Sequence, residues 1–115
     1  IFHSEFVVNL GSSMVFDYVA FKKPCAFINY DVINEKFPNW SVKKIYDYVH
    51  FRSMPNKTAV LWINNPESIA GIIESVIVGE QSSIKSAQHW FELINHHPAS
   101  EASSRIWEGI KKIVQ

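Results

Sequence analysis

The stretch VVNLGSSMVFDYVAFKKPCAFINYD, residues 7–31, sets an apolar run, a Gly-Ser-Ser turn, a helix-like segment, a Lys-Lys-Pro stop and a second apolar run end to end. Residues 5–10 and 25–30 carry enough β-branched and aromatic side chains to read as short buried strands. Between them, residues 13–22 have helix length and no internal glycine or proline. Strand, helix, strand with tight turns is the βαβ unit, and it predicts parallel strands joined by a right-handed crossover.

Working outward, residues 31–41 hold Asn34, Pro38 and Asn39 and read as a long loop that feeds a helix over 41–49 with Ser41 as its N-cap. Residues 50–57 read as irregular, and 59–63 as a third strand. Asn65 followed by Pro66 is a strong helix start. Ile69, Ile72, Ile73, Val76 and Ile77 then form a stripe at helical spacing that Gly79 ends. A helix over 83–96 should bury Ile84, Ala87, Phe91 and Ile94, and a last helix capped by Ser100 should turn Ile106, Ile110, Ile113 and Val114 inward. Trp90 and Trp107 lie beside these stripes. The expected fold is α/β: a Rossmann-like half domain of three-layer type, with a short parallel sheet and a helical C-terminal end.

The 115 residues suit one domain, 1–115, and the 47% hydrophobic and 19% charged fractions suit a packed interior. Lys+Arg and Asp+Glu are 11 each, so no global charge draws the chain to nucleic acid or to an anionic membrane. Cys25 has no second cysteine to pair with, and its apolar neighbours predict a buried, inert thiol. No apolar run reaches the roughly 18 residues of a membrane span, and no signal peptide precedes the first strand. The chain opens on Ile1 almost directly into a strand, which suggests a piece of a longer protein. His89, His96 and His97 lack carboxylates or cysteines at ligand spacing, so no metal is expected.

In a parallel sheet, ligands bind where strands end and helices begin. Gly11, Ser12 and Ser13 fall at that edge. There a glycine allows close approach, and the first helical amides and hydroxyls favour a phosphate; the same serines also read as simple N-caps. Asp17 lies one turn beyond Ser13 and shares its face. It could accept hydrogen bonds from paired ribose hydroxyls, or it could pair with Lys22 or Lys23 or stand exposed. Tyr30 and Asp31 end the second strand at the same edge, where a sugar or base would lie, though an aspartate there is also ordinary turn chemistry.

The segment GSSMVFDYVAFKKPCAFINYD resembles the donor-binding segment of GT-B glycosyltransferases, in which a small-residue turn opens a helix bearing an acidic residue. Asp17 to Pro24 follows the spacing of the family's E-A-x-x-x-G-x-P pattern, with Lys22 at the glycine position and Met14 where Thr or Ser is frequent. The paired serines and the aspartate make it most similar to CDP-glycerol glycerophosphotransferases and capsular-polysaccharide transferases of bacteria. The resemblance implies that Ser12 and Ser13 contact donor phosphates and that Asp17 contacts the ribose. It implies a UDP-, CDP- or GDP-linked donor, no cofactor, and no catalytic residue in this half, the base coming from an N-terminal acceptor domain outside this chain. Such a fragment would bind donor without turning it over. The setting implied is cytoplasmic, with room for peripheral association at the inner face of the membrane. Two alternatives stay open: a UDP-sugar epimerase-like domain of the same fold, and a non-catalytic α/β interaction module.

Overall fold

Three short strands, β1 (Val7–Asn9), β2 (Cys25–Ile28) and β3 (Leu61–Ile63), form an open, all-parallel sheet in the order β1-β2-β3 in a computed structural model that describes residues 1–33 and 35–114. The register pairs Val7 with Cys25 and Asn9 with Phe27, then Phe27 with Trp62 and Ile28 with Ile63. Side chains alternate along a strand, so Val7, Asn9, Cys25, Phe27 and Trp62 share one face. That face carries the main core, in which Cys25 and Phe27 meet Val15 and Val19 of α1 (Met14–Ala20). Phe51 of α3 (Val49–Arg52) and Ala87 and Trp90 of α5 (Ser82–Asn95) complete it.

The mixed α/β class and the parallel sheet follow the βαβ expectation, with the three strands and α1 each shorter than the expected run. The helix expected over 41–49 is a single turn, α2 (Lys43–Tyr46), followed by α3, which starts at the last residue of that expected helix and runs into the stretch expected to be irregular. Residues Lys57–Ala59 form a 3₁₀ turn that leads into β3. Asn65 caps as expected, since its Oδ1 accepts the Ser68 amide at 2.9 Å, although regular helix begins only at α4 (Ser68–Ile77).

Helix α1 ends in a hydrogen-bonded C-terminal motif. The Lys23 amide reaches the Tyr18 carbonyl and the Lys22 amide the Val19 carbonyl, both at 2.9 Å. Lys22 has the left-handed φ of 55° that this motif requires. It is thus a lysine in a conformation that glycine adopts at least cost.

Helix α5 buries Ile84 and Ala87 as expected, but its stripe centres on Trp90, which is wholly buried, and leaves Ile94 exposed. The Trp90 ring meets Phe16 edge-on at 4.8 Å, and its Nε1–H donates to Ser53 Oγ at 2.9 Å. The last helix, α6 (Ala102–Val114), departs from expectation. None of its described residues is buried, and Ile106, Trp107, Ile110, Ile113 and Val114 all face solvent. Helical periodicity identifies an apolar stripe, but it does not say whether anything lies opposite.

Cys25 is buried as its neighbours predict. Burial pushes its thiol from an ordinary 9.0 to about 12, and the hydrogen bond from Asn9 Nδ2 at 3.3 Å offsets part of that rise. Above pH 9 the unfolded chain loses a proton that the folded chain keeps, so this group lowers stability as pH rises from 9 toward 12. A disulfide reagent at pH 8 should accordingly modify Cys25 no faster than the chain opens. Reaction at the rate of free cysteine in the folded protein would contradict this burial.

Candidate functional site

The carboxyl ends of the three strands share one edge, and the Gly-Ser-Ser turn lies on it after β1. Gly11 has φ +67°, in the left-handed region. The space beside it is filled by the chain's own side chains, since a Cβ there would stand 2.7 Å from Ile45 Cγ2 and 3.0 Å from Tyr46 Cε1. The Ser12 amide and the first amides of α1 are also engaged. Asn9 Oδ1 accepts the Ser12 amide at 3.0 Å, Ser12 Oγ accepts the Met14 amide at 3.2 Å, and the Val15 and Phe16 amides bond to Ser12 and Ser13 carbonyls. Ser13 opens α1 without a side-chain cap bond. Asp17 is exposed on the outer face of α1 and pairs with neither Lys22 nor Lys23.

Asp31 takes the turn role. Its carboxylate accepts Ser41 Oγ–H at 2.9 Å and the Val42 amide at 2.6 Å, so it pins the start of α2 from across the intervening loop. Tyr30 is half-buried beside it. Asn34, part of the expected loop, lies outside the described residues.

What α2 carries defines the most polar concavity on this edge. A cleft of about 570 Å³ opens beyond β2 and β3, lined by Asn29, Lys43, Tyr46, Asp47, Lys57, Trp62 and Asn64. Asn29 and Asn64 directly follow the two strands, and Asn29 Nδ2 donates to Asn64 Oδ1 at 2.8 Å. That bond leaves the Asn29 oxygen and the Asn64 amide hydrogens for a ligand.

Tyr46 and Trp62 meet edge-on at 5.1 Å and form the aromatic wall. Both are fixed, Tyr46 by donating its hydroxyl to the Ile28 carbonyl and Trp62 by donating Nε1–H to the Lys57 carbonyl at 2.7 Å. Burial raises the Tyr46 phenol to about 12, so it remains a neutral donor. The side-chain charges of Lys43, Lys57 and Asp47 have no hydrogen-bond or ion-pair partner among the described residues. The cleft therefore offers two free cations, one free carboxylate and two amides around an apolar wall.

None of the six residues singled out from sequence lines this cleft, but two of them shape it. Gly11 leaves room for Ile45 and Tyr46, and Asp31 anchors the helix that bears Lys43 and Tyr46 and is capped by Asp47. Ser12, Ser13, Asp17 and Tyr30 are not brought into it. A signal for the cleft was present in sequence: both later strands end in the same pattern, Phe-Ile-Asn at 27–29 and Trp-Ile-Asn at 62–64, with an amide set directly after an apolar pair. A second hollow, lined by Val32, Ile33, Phe37 and Trp40, is apolar. No group of three or more metal-binding side chains occurs among the described residues. No protein-family model, curated protein or solved structure matches this chain.

Proposed function

We propose that the chain is the donor-binding half of a GT-B type transferase, a Rossmann-like, three-layer half domain that holds a nucleotide-diphosphate sugar or CDP-glycerol for surface-polysaccharide synthesis. The observation that carries the reading is the cleft at the carboxyl edge of a parallel sheet, with two unpartnered lysines and a free carboxylate beside aromatic walls. Lys43 and Lys57 neutralise the phosphates, Asp47 accepts from sugar or ribose hydroxyls, and the Tyr46–Trp62 wall meets the apolar face of base or sugar. The amides at the start of α1 are committed within the turn, so the lysine ammoniums supply the charge that stabilises a departing nucleotide. The left-handed Lys22 in the family's glycine position supports the same assignment.

In this reading the acceptor and the catalytic base belong to a partner domain, and this half alone positions only one reactant. No helix among the described residues is long and apolar enough to cross a membrane. The test is titration of the 115-residue chain with UDP, CDP and GDP, followed by NMR. Resonances of Asn29, Tyr46, Trp62 and Asn64 should shift for at least one nucleotide, and Lys43→Ala and Lys57→Ala should each weaken binding roughly threefold to tenfold. Silence of the cleft resonances at millimolar nucleotide would end the proposal, and shifts confined to residues 11–17 would move the site back to the turn.

A further inference from the structure

Only His96, His97 and Pro98 separate α5 from the 3₁₀ turn Ala99–Glu101 that opens α6, and across this elbow the two helix ends cap each other. A helix C-terminus carries orphan carbonyls and partial negative charge, and an N-terminus carries orphan amides and partial positive charge. Arg105, in the first turn of α6, donates Nη2–H to the carbonyls of Asn95 at 2.6 Å and of His96, and Nη1–H to the Pro98 carbonyl at 2.9 Å. Glu92, in the last turn of α5, accepts the Ala99 amide at 2.8 Å and lies 2.8 Å from His97 Nδ1. Each charge therefore sits at a terminus of opposite sign, and each is supplied by the other helix. Packing does not do this work, since none of the described residues of α6 is buried. The inside of the elbow is a hollow of about 410 Å³ that Ile94 and Ile106, one from each helix, line without filling.

We infer that residues 92–105 form a latched hinge, in which the crossed pair Glu92 and Arg105 fixes the direction of α6 and release of either side chain lets the helix swing. A hinge needs a few element-terminal residues that absorb a backbone change, a lever that packing does not lock, and room to move. His96, His97 and Pro98 supply the first, the unburied α6 the second and the hollow of the elbow the third. His96 also stands at φ 55° and ψ 117°, a conformation that a residue with a side chain keeps where surrounding bonds impose it. Arg105 imposes it by holding the His96 carbonyl and the carbonyls on either side of the hinge. The latch is polar and lies outside the core, so it can open while the core stays folded. The ion pair of Lys111 with Glu108 lies within α6 and has no part in orienting it. This inference does not depend on the nucleotide reading.

The test is a spin-label distance between α5 and α6 in the 115-residue chain. Labels are placed at Lys85→Cys and Lys112→Cys, both exposed and outside the latch, while the buried Cys25 stays unlabelled. At neutral pH the labelled parent should give one narrow distance peak. Glu92→Ala and Arg105→Ala should each lose that peak to a broad distribution. Helicity by circular dichroism and the urea midpoint should change little, because neither side chain belongs to the core. Lys111→Ala, which breaks the ion pair within α6, should keep the narrow peak. The inference fails if the parent distribution is already broad, or if both Glu92→Ala and Arg105→Ala keep the parent's peak. It also fails if Lys111→Ala broadens the peak as much as they do, or if helicity falls in step with the broadening, since α6 would then be fraying instead of swinging.

Discussion

Gly11→Ala should lower the unfolding free energy by about 2–4 kcal/mol, the sum of two separate penalties. An L residue held at φ +67° costs roughly 1–2 kcal/mol. The new methyl would then sit 2.7 Å from Ile45 Cγ2 and 3.0 Å from Tyr46 Cε1, and such overpacking costs about 1–3 kcal/mol. For a domain of this size the loss corresponds to a fall in Tm of order 10–20 °C. Urea and thermal denaturation measure it directly. Ser13→Ala is the control, because Ser13 makes no cap bond and should change stability by less than about 0.5 kcal/mol. A Gly11→Ala protein as stable as the parent would mean that Ile45 and Tyr46 do not pack over the turn. The consequence extends to the cleft, since relief of the clash must move Tyr46, one of its walls.

The same glycine shows how far the sequence could be read. Gly-Ser-Ser between two apolar runs predicts a tight strand-to-helix turn, and the parallel sheet with its crossovers follows from that local pattern. The purpose of the glycine was less accessible. A left-handed turn and a close approach look alike in sequence whether the approaching group is a phosphate or an isoleucine from 34 residues further on. Asp31 presents the same ambiguity at longer range. A carboxylate at a strand end is legible as turn chemistry, but its partners, Ser41 and Val42, are set by where the loop returns. Cys25 was fully legible because its burial is local, with apolar neighbours on both sides of a central strand. Helix α6 was half legible: period 3.6 gives the stripe, and only the fold shows that nothing among the described residues covers it. The cleft was legible only in the repeated strand endings at 27–29 and 62–64, because its lining comes from four separate short segments, each ordinary alone.

Phe27→Ala should cost about 3–5 kcal/mol, a large share of the roughly 5–15 kcal/mol that holds a domain folded. Phe27 is wholly buried on the central strand and forms the hub of the aromatic cluster. Its ring stacks on Tyr46 at 5.6 Å and meets Phe51 at 5.7 Å and Trp62 at 5.8 Å edge-on. Truncation leaves a void bounded by three rings that are also tied to the backbone by their own hydrogen bonds or by helix α3, so the site can collapse only partly and the cavity penalty remains. Phe27→Leu keeps most of the volume and should lose only about 1–1.5 kcal/mol. Because Tyr46 and Trp62 are both packing partners of Phe27 and walls of the cleft, the two variants separate stability from function. Under conditions where each is folded, Phe27→Ala should also blunt the near-ultraviolet signal of the cluster and weaken the proposed nucleotide binding, whereas Phe27→Leu should retain it. If Phe27→Ala is destabilised as expected yet binds nucleotide like the parent, the walls owe their placement to the Ile28 and Lys57 carbonyls, and the aromatic hub supports the fold without shaping the site.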